Sequence, residues 1–307
     1  NHIPKGLETM QQSAASTANK MTRRPDVGEV SVQSTIELTD VYKGYGDEWQ
    51  RQEVITDFNL VITPGEMTVV VGPSGCGKTT LVNLVAGFEL PESGSITLDG
   101  RAVTGPSQDC MVVFQETALL PWLTAYQNVI FGPKIRGQMQ GQKIDDEANQ
   151  LLEKVGLGEF KDKYPLQLSG GMQRRAELAR ALINHPLLMI MDEPFRGLDA
   201  MSRELMQEFF LRLFEETHRT HLFVTSEIEE AIFLGDRLVV LSNRPATVRE
   251  IIDIKLPRPR DFHMLSSPEA FEYKRQAMEI LHEEALKSFK RASGQDDFLD
   301  AFSKRAE

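Results

Sequence analysis

Met67-Thr68-Val69-Val70-Val71-Gly72-Pro73-Ser74-Gly75-Cys76-Gly77-Lys78-Thr79 runs from a short apolar stretch into a glycine-rich loop closed by lysine and threonine. A run this apolar reads as a strand buried on both faces, and residues 79–86 read as the helix that follows. The loop between them has the spacing G-x-x-x-x-G-K-[ST] of a phosphate cradle. Its glycines let backbone N–H groups turn inward around phosphate oxygens, and the helix N-terminus adds a favourable dipole. In this reading Gly72, Pro73, Ser74, Gly75, Cys76, Gly77 and Thr80 line a bound ATP. Lys78 reaches its β- and γ-phosphates, and the Thr79 hydroxyl ligates Mg2+. A glycine-rich turn that binds nothing is the alternative; a strand before the loop and a helix after it weigh against that.

Outward from this segment, residues 35–38 and 54–62 read as strands, with a polar hairpin loop over 44–52. Residues 95–98 form a strand ending in the turn Asp99-Gly100, and 110–114 read as another buried strand. From about 116 to 168 helical patterns dominate, predicting an inserted helical subdomain. Helices are then expected over 171–184 and 200–217, alternating with strands over 187–191, 221–225, 237–241 and 249–254. Alternation of this kind implies an α/β fold, a mainly parallel sheet covered on both faces with an antiparallel β-subdomain at its N-terminal side. Beyond Pro257-Arg258-Pro259-Arg260, Ser267-Pro268 reads as the cap of a C-terminal helix with Phe271, Met278, Leu281 and Ala285 as one stripe. The domain reading is a tail over 1–33, an ATPase domain over 34–260 and a helical extension over 261–307.

Bulk properties narrow the classes. A chain of 307 residues that is 41% hydrophobic supplies an ample core. Its longest apolar runs are strand-length, so any membrane contact is expected to pass through a partner. The first 33 residues lack the apolar centre of a secretory signal. Two cysteines, Cys76 and Cys110, fit a reducing compartment and so the cytoplasm. With 34 Lys and Arg against 45 Asp and Glu, attraction to nucleic acid or to an anionic membrane is disfavoured. Six histidines without metal-ligand spacing predict no transition-metal site.

Leu187-Leu188-Met189-Ile190-Met191-Asp192-Glu193 is an apolar strand delivering two adjacent carboxylates. Asp192 would hold Mg2+ through water, and Glu193 would act as general base on the attacking water. Such a strand is weak evidence alone, and gains weight from the phosphate loop upstream. The segment Leu168-Ser169-Gly170-Gly171-Met172-Gln173-Arg174-Arg175, together with Gln115 after Val112-Val113-Phe114, resembles the signature and glutamine loop of ABC ATPases over about residues 35–260.

The resemblance implies that Ser169, Gly170 and Gly171, at a helix N-terminus, bind the γ-phosphate of nucleotide held by an opposite subunit, so one chain cannot complete its own site. It implies that Gln115 links Mg2+ and water to the helical subdomain, and that Gly197-Leu198-Asp199 crosses the dimer seam. Tyr45 stands where the family places an aromatic stacked on adenine, with Tyr42 as the alternative. Cys76 is a small filler at a variable position, in a loop able to lower its thiol pKa. At one place the sequence departs from the family: Ser226-Glu227 stands where most relatives have His-Asp, and that histidine contacts the γ-phosphate. His221 is at the wrong end of its strand to replace it.

The stretch 114–124 and the tail Asn243-Arg244-Pro245 with 256–260 are similar to the importer ATPases for nitrate, sulfonates, taurine and related small solutes, bicarbonate among them. That subgroup implies a second ATPase subunit, two membrane permeases and an external solute-binding protein, with the ATPase peripheral at the cytoplasmic face. The pair is either a heterodimer with a histidine-bearing ATPase or a homodimer. A translation factor would carry two cassettes, and a DNA-repair ATPase a long coiled coil between loop and signature; neither is present. A catalytically weakened regulatory module remains the alternative because of Ser226.

Overall fold

The computed structural model describes residues 34–47, 49–137 and 142–293, with side chains through 287. The tail read over 1–33 and the end of the extension, 294–307, lie outside the described residues.

Two sheets organise the chain. Strands β1 (Ile36–Tyr45), β2 (Gln52–Ile62), β4 (Ser93–Leu98) and β5 (Arg101–Ala102) form an antiparallel sheet in the order β2-β1-β4-β5. Strands β3 (Met67–Val71), β6 (Cys110–Val113), β7 (Leu188–Asp192), β8 (Thr220–Thr225), β9 (Arg237–Leu241) and β10 (Val248–Asp253) form the second, in the order β10-β9-β3-β8-β7-β6. All its neighbours run parallel except β10, which returns antiparallel to β9. The α/β reading with its N-terminal antiparallel sheet therefore holds.

Strand β3 lies at the centre with every residue buried, paired to β8 on one edge and β9 on the other. Alternate side chains leave a strand on opposite faces. Met67, Val69 and Val71 accordingly enter one core, with α5 (Ala200–Thr217) and α6 (Ile228–Leu234). Val70 enters another, beneath α1 (Lys78–Ala86) and the antiparallel sheet. A third core belongs to the helical insertion, where α2 (Ala125–Arg136), α3 (Gln142–Lys154) and the inner face of α4 (Gly170–Leu182) pack around Val129, Ala148, Leu152 and Ala179.

Three local readings are corrected. Strand β1 extends to Tyr45, paired with Gln52, so the hairpin loop is shorter than 44–52. Strand β6 is at the sheet edge, half-buried for most of its length, and Phe114 lies beyond its end and is exposed; an edge strand has one neighbour fewer to cover it. The C-terminal helix α7 (Pro268–Ser293) is capped as expected, Ala270 N–H donating to Ser267 Oγ at 3.1 Å. Of the expected stripe, Leu281 is half-buried against the main core; the fully buried contacts are instead Ala270, Ala277 and Glu284, and Phe271 is 66% and Met278 50% exposed. Small residues let α7 approach α6 closely, and Glu284 accepts from Asn243 N–H at 2.9 Å, which outweighs the larger apolar residues as the docking contact. Ala277→Leu should therefore overpack this seam and cost about 1–3 kcal/mol, whereas Met278→Ala should fall within about 0.5 kcal/mol of the parent; thermal unfolding of the two variants measures the difference.

Candidate active site

The loop after β3 turns on two left-handed glycines, Gly75 at φ 74° and Gly77 at φ 128°. A Cβ on Gly77 would sit 3.0 Å from Val54 Cγ1 and 3.2 Å from Val54 O, so only glycine fits both the turn and the space. Lys78 is buried and donates to the carbonyls of Gly72 at 2.8 Å and Pro73 at 3.2 Å, folding its ammonium back across the loop. Such a cradle suits a polyphosphate: inward-turned backbone around one buried cation at a helix N-terminus.

Asp192 ends β7, two strands from β3, yet its Oδ2 accepts from Thr79 Oγ1 at 3.1 Å. Burial pushes the Asp192 carboxyl up, the Thr79 hydroxyl opposes this, and the neighbouring Glu193 charge adds to it. A hydroxyl and a carboxylate joined in this way are hard oxygen donors that fit Mg2+, which takes few protein ligands beside substrate phosphates. Glu193 follows in the left-handed region at φ 45°, costly for a residue with a side chain. Its N–H donates to Val224 O at 2.8 Å. Its two carboxylate oxygens accept from Ser226 Oγ at 3.0 Å and from Arg196 at 2.7 Å. Since β8 lies between β3 and β7, Ser226 emerges between the phosphate loop and the acidic pair. His221 sits in the core at the opposite end of β8, against Phe210 and Phe214, and burial pulls its imidazole down to about 4.

Tyr45 O–H donates to Glu89 at 2.7 Å and lies 3.5 Å from Thr80 Oγ1, leaving its ring 41% exposed beside the start of α1. Tyr42 instead donates to Glu53 at 3.1 Å on β2. Of the two, Tyr45 is the one next to the phosphate-loop helix.

Gln115 is exposed, but its backbone is fixed. Arg174, on α4, donates to Phe114 O at 2.7 Å and Gln115 O at 2.5 Å and pairs with Glu177 at 2.6 Å, both side chains buried. Glu177 accepts from Ala118 N–H, and Arg180 donates to Ala118 O. Burial pulls Arg174 down and pushes Glu177 up, each opposed by the other's charge. This clamp was not legible from the signature alone, although the basic pair after it hinted at a role.

Within the signature, Ser169 makes its polar contacts locally, whereas Gln173 and Arg174 reach the segment 114–117. Ser169 caps α4 by accepting from Met172 N–H at 3.3 Å; it and Gly170 are exposed at the helix start, and Gly171 is half-buried. Asp199 caps α5 by accepting from Ser202 N–H at 3.0 Å, which holds its carboxyl low. Neither segment is joined by a hydrogen bond to the phosphate loop in the described chain. Arg196 was missed; its place three residues after Glu193, in a turn opened by Pro194, was the available signal.

Cys76 is buried behind the loop, and burial raises its thiol pKa despite the lowering effect of Lys78. The expected activation by the loop is overturned because desolvation outweighs a nearby cation. Burial, aided by Asp109, also raises Cys110, to about 12. Raised values keep thiolate scarce at neutral pH, so both cysteines should alkylate with iodoacetamide at pH 8 about tenfold or more slowly in the native chain than in guanidinium; mass spectrometry of the adducts tests this.

Comparison with known proteins agrees with this geometry. A family model described as ABC transporter matches residues 55–196. The chain is 43% identical over 253 residues to an uncharacterized ABC transporter ATP-binding protein of Methanocaldococcus jannaschii, covering 82% of this chain and 92% of that one. It is 38% identical over 252 residues to a nitrate import ATP-binding protein of Synechocystis, covering 80% and 94%. Among solved structures it resembles a dimeric ATP-binding cassette in a post-hydrolysis state bound to ADP and Pi, at a TM-score of 0.63 and 29% identity, covering 72% of this chain and all of that one.

Proposed function

We propose that this chain, which belongs to the ABC transporter family of ATP-binding proteins, powers an importer for a small anionic solute of the nitrate, sulfonate, taurine or bicarbonate type. ATP hydrolysis is its activity, and the observation that carries the residue roles is the convergence of Lys78, Thr79, Asp192, Glu193 and Ser226 at the carboxyl ends of three adjacent strands. Ligand sites in open parallel sheets form at such ends.

In this reading the loop Gly72 to Thr80 wraps the phosphates, and Tyr45 stacks on the base. Thr79, Asp192 and Gln115 would hold Mg2+, which would supply charge neutralisation to the phosphates. Glu193 takes a proton from water as the water oxygen bonds to the γ-phosphorus and the bond to the departing ADP breaks. Ser169, Gly170 and Gly171 present their helix N-terminus to nucleotide on a second ATPase subunit, and Asp199 lies at the seam between the two. The exposure of Ser169, Gly170 and Asp199 in the single chain supports this.

The domain reading belongs to the same proposal, with an ATPase over 34–260, a helical subdomain over about 116–168 and an extension over 261–307. Within the helical part, buried Asn128 bonds the backbone at Leu120, Leu123 and Thr124, so that Trp122 stands out 68% exposed. Leu120, Pro121 and Trp122 would line or brace the groove that receives a permease helix. Among the described residues no helix is long and apolar enough to cross a membrane. Attachment to the cytoplasmic face therefore runs through two permease subunits, with an external binding protein choosing the solute.

Glu193→Gln should keep ATP bound and reduce hydrolysis by about a hundredfold or more, while Lys78→Ala should weaken nucleotide binding itself; equilibrium binding and phosphate release separate the two. Trp122→Glu should lower transport without altering nucleotide affinity, and copurification of the full chain with a polytopic membrane protein checks the partner.

A further inference from the structure

The turn after Glu193 brings a second cation to the site. Arg196 N–H donates to Glu193 O at 3.1 Å, closing a four-residue turn that folds the arginine back over the glutamate. Its guanidinium then meets Glu193 Oε2 at 2.7 Å while Ser226 Oγ meets Oε1 at 3.0 Å. The carboxylate is 12% exposed and the guanidinium 62%. A pair this open to water contributes little to stability, so its effect is geometric. Each carboxylate oxygen has two acceptor positions, and the two donors leave one on each oxygen free for water. Held from both sides, the carboxylate cannot rotate about its terminal torsion, which is otherwise broad.

We propose that Arg196 is a positioning residue for ATP hydrolysis: with Ser226 it fixes the Glu193 carboxylate toward the attacking water. The inference rests on Glu193 as general base. The serine is not alone in holding that carboxylate. The Ser226 hydroxyl holds one carboxylate oxygen, and the arginine holds the other.

The test is steady-state hydrolysis of Mg–ATP by the full chain, with nucleotide affinity measured on the same samples. Arg196→Ala should lower kcat about tenfold while the nucleotide Kd changes less than about twofold, the pattern of lost orientation. Arg196→Lys should recover part of the rate, since it restores charge without the planar fork. Adding Ser226→His to Arg196→Ala should return kcat to within a few-fold of the parent, a rescue that a structural role for Arg196 would not give. Parental or faster turnover by Arg196→Ala, a loss confined to affinity, or failure of the histidine to rescue would overturn the proposal. Glu193→Gln run alongside separates the premise: if that variant still turns over at the parental rate, the base assignment fails and this inference with it. If it is inactive while Arg196→Ala is not, only the role of Arg196 fails.

Discussion

Strand Met67–Val71 touches water on neither face and on neither edge, since β8 and β9 take its hydrogen bonds and two separate cores take its side chains. A backbone so enclosed has one way out, at its carboxyl end, and the glycine loop leaves there. The loop is itself pinned from behind. Leu241, at the end of β9, and the Cys76 thiol both stand about 3 Å from where a Cβ on Gly72 would lie, and Val54 of the antiparallel sheet closes on Gly77. The glycine loop is thus shaped by packing from β9 and β2, elements that lie outside it.

The same constraint places the acidic end of the site. Because β8 separates β3 from β7, Asp192 and the phosphate loop meet only across the top of an intervening strand, and the residue that follows β8 stands in the gap. Glu193 pays for its position with a left-handed backbone of roughly 1–2 kcal/mol, offset by its N–H bond to Val224 O and by the two side chains that hold its carboxylate. Strain concentrated at one residue of a catalytic pair is where an over-determined environment is expected.

A second mechanical element joins the signature helix to the glutamine loop. The buried Arg174–Glu177 pair gains little net stability, because desolvating two charges offsets most of their attraction. Its bonds to the backbone of Phe114, Gln115 and Ala118 nevertheless make α4 and the segment 114–118 one body. Gln115 is thereby joined directly to the helix whose first turn carries Gly170 and Gly171.

Local signals were enough for the strand–loop–helix around Gly72–Thr79, the apolar strand ending in Asp192-Glu193 and the alternation of strands and helices along the chain, because burial on both faces and glycine-dependent turns are written in consecutive residues. The serine at 226 was also plain from position alone. What it does was not: only the tertiary arrangement brings Ser226 and Arg196 to opposite oxygens of one carboxylate. The C-terminal helix failed for a related reason. Its largest apolar residues suggested the buried stripe, whereas Ala270 and Ala277 dock, since the closeness of α6 and the position of Asn243 decide which face fits. Cys76 shows the same division. Its loop was legible, but the sign of its thiol's shift depended on how completely distant strands excluded water, a quantity that no run of neighbouring residues contains.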